Sequence, residues 1–192
     1  MSLRLAQDPE ADALLSRDPF ALLAGMLLDQ QIPMERAFAG PATIATRLGV
    51  DHLDPAHIAG LGEEEFAAVL SQSPAVHRFP GSMAGRIQAL ARKVVDTYDG
   101  DAATLWTTAA TGSELVQRLS ALPGFGRQKA QIFAALLGKQ LGVRPDGWRE
   151  ATGDFGREGS RRSVADVTGP ESLDEVRAFK KQMKAAARSP RS

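Results

Sequence analysis

The sequence has no cysteine, one tyrosine, two tryptophans and three histidines among 192 residues, and its 23 basic and 23 acidic side chains cancel. Without cysteine there is no disulfide, no thiolate nucleophile and no cysteine-ligated iron–sulfur cluster. The histidines, His52, His57 and His77, have no metal-ligand spacing with one another or with carboxylates and read as loop or solvent-facing residues. Zero net charge excludes a uniformly basic nucleic-acid coat. No run of apolar residues is long enough for a membrane span, and no signal peptide is visible, so a cytoplasmic protein with no membrane partner is expected. There is no alternating strand pattern and no internal repeat. Asp154-Phe155-Gly156 matches a kinase magnesium motif, but no glycine-rich strand loop or catalytic loop accompanies it.

What is present is helical periodicity. The length suits one domain or two small lobes with a sizeable core. Residues 1–17 form a short lead with Ala11, Leu14 and Leu15 at helical spacing. Asp18-Pro19 is a helix start, and the apolar run Phe20 to Leu28 reads as a buried central helix that stops abruptly at Asp29-Gln30-Gln31-Ile32-Pro33. Helices are expected over Met34–Leu48 (with Pro41 an obstacle to continuity), after Asp54-Pro55, after Glu63, and from Met83 to Tyr98 with Ser82 as its cap. A short helix near Ala103–Ala109 leads to Ser113–Ser120. Residues 153–170 read as loop, and Ser172–Ala187 as a last helix with a Leu173, Val176, Phe179, Met183 stripe and a basic remainder.

The most informative stretch is Leu119 to Gly138, continuing to Asp146. Leu115, Leu119 and Leu122 are apolar at helical spacing. Leu122-Pro123-Gly124-Phe125-Gly126 is a tight turn, and Arg127 opens a second helix with Ile132, Phe133, Leu136 and Leu137 on one side. The N-terminal amides of that helix form an anion site, and Arg127 and Lys129 stand beside it, so a nucleic-acid phosphate is the simplest ligand. From Arg118 to Arg149 there are six Lys/Arg and one acid, Asp146, a local basic face on a neutral chain.

Leu122-Pro-Gly-Phe-Gly-Arg-Gln-Lys-Ala130 resembles the hairpin of the helix-hairpin-helix (HhH-GPD) superfamily of DNA glycosylases. The resemblance covers roughly residues 18–150, with the hairpin at 113–140. It implies an all-α, bilobed fold in which residues 1–17 and 151–192 pack as a second helical lobe and the site lies in the cleft. It implies double-stranded DNA containing a damaged or mispaired base as partner, bound through Leu122, Pro123, Gly124, Phe125, Gly126, Arg127, Gln128 and Lys129. Phe20 to Ala37 resembles the family segment that ends in a Gln-Gln-Ile turn. Gln31 matches the side chain that wedges into the duplex where a base has left, and Gln30 borders the pocket; composition alone equally reads the pair as a solvated helix end.

Bifunctional members carry a lyase lysine two residues past the second glycine; this chain has Gln128 there, and Lys129, one residue on, is expected to face the phosphate backbone. Asp146 lies eighteen residues beyond Gln128, the family spacing to the catalytic aspartate. A carboxylate there would stabilise the charge that develops on the sugar and orient water, although Arg144-Pro-Asp-Gly-Trp148 also reads as a plain turn and departs from the Val-Asp-Thr/Ser-His pattern common in the family. Trp148 is a candidate pocket residue. Some members hold an iron–sulfur cluster, which this chain cannot; a K+ or Na+ ion at the carbonyls of Ala121, Leu122 or Pro123 with Phe125 is the one cofactor the resemblance leaves open. The resulting expectation is a monofunctional, monomeric DNA glycosylase of base-excision repair, nucleoid-associated in a bacterium. The alternatives are a non-catalytic helix-hairpin-helix DNA-binding module and a helical protein-interaction domain.

Overall fold

The computed structural model describes residues 2–189. Among the described residues eleven α-helices follow one another: α1 (Pro9–Arg17), α2 (Pro19–Leu28), α3 (Met34–Leu48), α4 (Pro55–Gly60), α5 (Glu63–Ser71), α6 (Pro80–Tyr98), α7 (Thr104–Thr107), α8 (Gly112–Ser120), α9 (Arg127–Gln140), α10 (Trp148–Thr152) and α11 (Pro170–Arg188). Two 3-10 turns, Gly153–Gly156 and Val164–Asp166, lie between α10 and α11. No strand forms among the described residues, and the single isolated bridge joins Thr111 to Asp146.

The central helix is α2. Asp18 caps it, one carboxylate oxygen accepting from Ala21 N–H at 3.0 Å and the other from Leu53 N–H at 2.6 Å, and Pro19 occupies the first turn. Every residue from Phe20 to Leu28 is buried. Such a helix has no solvent face and must be surrounded: α1 and α3 pack on it, and α6 closes it from another side. Pro41 does not break α3, which runs unbroken to a left-handed Gly49. Pro41 is buried, and Gly40 beside it lets α3 approach so closely that an added Cβ would stand 2.7 Å from Leu28 Cδ1; packing there offsets the lost backbone hydrogen bond.

Two expectations are corrected. The long helix begins at Pro80 rather than behind Ser82, because proline suits a first turn whose N–H groups are unpaired in any case. His77 is not a solvent-facing residue but 1% exposed. Of the terminal segments, α1 lies on α2 and α3, and residues 153–176 lie on α9 and on each other. A single continuous hydrophobic core runs from Leu3 to Val176.

The helix-hairpin-helix forms as its sequence directs. Thr111 caps α8, accepting from Glu114 N–H at 3.1 Å. The turn is closed by Phe125 N–H donating to the Leu122 carbonyl at 3.1 Å, with Gly124 at φ 81°. A side chain at Gly124 would also crowd Leu27, since an added Cβ would lie 3.1 Å from Leu27 Cδ1. The turn thus rests on the last residues of α2, which brings the Asp29-Gln30-Gln31 segment beside the hairpin.

Candidate DNA-processing cleft

Leu122 and Phe125 are each only 3% exposed, and Phe125 meets Phe133 edge-on at 6.1 Å between ring centroids. Their side chains hold the turn to the core, so only their backbone is available to a ligand. Gly124, Gly126, Arg127 and Gln128 are exposed, and Pro123 is partly so. Gly126 is the N-cap of α9 and brings no side-chain hydrogen bond to it. The first amides of α9 are therefore uncapped at the positive end of the helix dipole.

Lys129 departs from its expected direction. Its ammonium turns inward and donates to the Met26 carbonyl at 2.8 Å and, more weakly, to the Leu27 carbonyl at 3.4 Å. The last carbonyls of a helix lack intrahelical donors, and a cation there is favourable. Gln30 adds a second donor, its side-chain amide reaching Leu27 O at 2.8 Å. Gln30 is itself pinned: its carbonyl accepts from His77 Nε2 at 2.8 Å, and its side-chain oxygen accepts from Arg86 at 3.2 Å. His77 Nδ1 accepts from Phe79 N–H at 3.0 Å, which leaves Nε2 to donate. Gln30 is thus a bracket for the end of α2 rather than a residue of the cleft wall. Gln31 follows in the left-handed region at φ 59°, with an exposed side chain. A non-glycine residue there is strained, and such strain clusters at functional sites.

Beside this bracket opens a cleft of about 1090 Å³. The partly buried Asp29 and Lys129 form its floor, and the exposed Gln128 lines it as well; Met26, Ile132 and Phe155 give it apolar walls; α11 lies along its far side. Burial pushes the Asp29 carboxyl above the usual carboxylate range, with Glu35 adding in the same direction, while Lys180 and Lys129 oppose the rise. Burial pushes the Lys129 ammonium below the usual lysine range, opposed by Asp29. The two groups are thus coupled, each charge favouring the ionised form of the other while burial opposes both.

Asp146 is elsewhere. Its carbonyl accepts from Gly112 N–H at 2.7 Å, at the end of α8 away from the hairpin, and its residue is exposed and does not line the cleft. Trp148 also lies outside the cleft. Its ring packs against Gly138, where an added Cβ would fall 2.5 Å from ring carbons, and the guanidinium groups of Arg149 and Arg144 sit 4.9 and 5.9 Å from the ring centroid. Gly138 is about 13 Å along α9 from Lys129 at the helical rise. The structure thus brings Gln128, Lys129 and the hairpin backbone together with Asp29, and keeps Asp146 and Trp148 apart from them. Sequence reading missed Asp29 and Phe155. The signal for Asp29 was present: a lone carboxylate ending an otherwise wholly apolar helix. Among the described residues, no group of three His, Asp or Glu side chains could hold a metal ion.

The model of the HhH-GPD superfamily base excision DNA repair proteins matches residues 24–187, from inside α2 to the end of α11. No curated protein and no solved structure gives a significant match. The hairpin, the all-helical fold and the span of that match agree, and the chain belongs to the HhH-GPD superfamily of base excision DNA repair proteins.

Proposed function

We propose that the protein is a DNA glycosylase that binds duplex DNA through the hairpin, takes a damaged or mispaired base into the cleft and breaks its N-glycosidic bond with Asp29 as the working carboxylate. The observation that carries this reading is Asp29 on the floor of a cleft that begins at the uncapped amides of the hairpin helix. In the reaction the C1′–N bond breaks, and its electron pair leaves with the base. The sugar becomes cationic at C1′, and water adds there and loses a proton. A carboxylate beside C1′ stabilises the sugar cation and accepts that proton. Lys129 and Lys180 favour the ionised form of Asp29 against its burial. In this reading Gln31 enters the duplex in place of the lost base; its exposed side chain and its strained turn at the end of α2 support that role.

The test is base release from a panel of lesion-bearing duplexes, with alkali added to cut at abasic sites. Release from at least one lesion class supports the reading. No release from any lesion, with salt-sensitive DNA binding retained, favours the non-catalytic binding module. A second reading concerns the chemistry. Lys129 lines the cleft, and burial lowers its pKa, the direction a lyase lysine needs; to attack C1′ and cut the strand through a Schiff base its amine would have to lose a proton and leave the Met26 and Leu27 carbonyls. Borohydride trapping separates the two: a covalent protein–DNA adduct that Lys129→Met abolishes supports lyase chemistry, and its absence supports simple hydrolysis.

A further inference from the structure

The last ten described positions of α11 and beyond, residues 180–189, are all exposed, although the helix is continuous to Arg188. Its N-terminal half is anchored: Leu173 and Val176 are buried, Glu175 pairs with Arg161, Arg177 pairs with Glu35 at the start of α3, and the Arg162 guanidinium lies 5.1 Å from the Phe179 ring centroid. Past Phe179 the helix runs on as an overhang along the cleft, with Met183 54% exposed. Residues 177–188 contain five Lys/Arg and no acid. Arg177, Lys180, Lys181, Lys184 and Arg188 all border the cleft that the hairpin helix borders from the other side at Gly126 and Gln128.

A free helix of this kind has little packing to hold it, and its own like charges repel. Five basic side chains and no acid over residues 177–188 make its charge complementary to a polyanion lying in the cleft mouth, with Met183 the one large apolar side chain it exposes. Resting on the DNA reading above, we infer that the C-terminal half of α11 is a second backbone clamp: it binds phosphates of the DNA strand whose base enters the cleft, opposite the phosphates held by the hairpin amides. The strand passes between a wall of fixed backbone dipoles and a wall of mobile ammonium and guanidinium groups.

The experiment is fluorescence anisotropy of a labelled undamaged duplex over a range of salt concentrations, using the full chain. The variants are Lys180→Ala/Lys184→Ala/Arg188→Ala and Gly126→Asp. Alanine on an exposed helix face keeps the helix, and an aspartate at Gly126 caps α9 while placing a carboxylate in the anion site. The clamp predicts that the triple variant binds more weakly and that its log–log salt slope is smaller by about two to three, near one for each phosphate that is no longer neutralised. Gly126→Asp weakens binding as well. A triple variant with wild-type affinity and slope, while Gly126→Asp still weakens binding, overturns the clamp and leaves the hairpin reading standing. A triple variant that instead dissociates a dimer seen by analytical ultracentrifugation, with DNA affinity unchanged, assigns the face to a second copy and also overturns it. Wild-type protein with no salt-sensitive DNA binding overturns the clamp and the DNA reading together.

Discussion

If Asp29 is the working carboxylate, stability and activity are set against each other there. The fold raises its carboxyl pKa, so the folded state prefers the protonated form and ionisation costs folding free energy. The sign follows: the protein loses stability as pH rises from the ordinary aspartate value through the raised one. Asp29→Asn removes that loss, and thermal or urea unfolding at pH 7 should show the variant more stable, by about 1 kcal/mol, because a charge held against burial is gone. Base release needs the ionised form, so its rate should climb with pH above the usual carboxylate range and then level off; a rate already flat at pH 4–5 would contradict the role. Gly112 makes a purely structural prediction. An added Cβ would meet Trp148 Cα at 2.4 Å and the Gly147 carbonyl oxygen at 2.8 Å, backbone atoms that cannot step aside. Gly112→Ala should cost about 2–3 kcal/mol in urea unfolding and loosen residues 146–152. Single residues were partly legible in the sequence. Asp18 and Thr111 announced themselves as caps, and Gly124 as a turn glycine. Lys129 did not, because its direction is set by carbonyls of α2, which lies 103 positions away in the chain.

Among the elements, the hairpin was the most legible because its geometry is local: glycine where φ must be positive, an uncapped helix start, apolar spacing on both sides. Gly126→Asp should leave the melting temperature unchanged or slightly raised while abolishing hairpin binding of DNA, since an aspartate at the N-cap differs from glycine by only a few tenths of a kcal/mol. The segment after α10 was less legible. It read as loop, and its order comes from one buried acid: Asp166 accepts from Lys139 at 2.6 Å, from Ser160 Oγ at 2.8 Å and from Arg162 N–H at 2.8 Å. The Asp166 side chain is almost wholly buried and that of Lys139 largely so. Asp166→Ala would strand the ammonium, and equilibrium unfolding should show a loss of about 3 kcal/mol with faster proteolysis between Arg157 and Thr168. The spacing of Asp146 from Gln128 matched the family, but spacing along the chain does not fix where an extended segment turns. The bridge from Thr111 and the Trp148 ring on Gly138 hold that segment at the end of α8 remote from the hairpin.

For the whole molecule, neutrality conceals segregation. Basic side chains collect on the hairpin helix and on the exposed half of α11, with the cleft between them, while residues 51–65 lean acidic on the other group of helices. That arrangement concentrates a polyanion where the floor carries Asp29 and Lys129. The all-helical class and the family were readable from periodicity and the hairpin; the cleft was not, because its walls come from α2, α9, the turn at Phe155 and α11, four elements spread over more than 150 positions. The most direct test of Asp29 as the working carboxylate is base release by Asp29→Asn and Asp146→Asn side by side on the lesion that wild type excises, with DNA affinity measured for both. Asp29→Asn should slow release at least a hundredfold with binding retained, while Asp146→Asn stays within a fewfold of wild type. The reverse result, with release lost in Asp146→Asn and kept in Asp29→Asn, would contradict that role and return catalysis to the loop beyond α9.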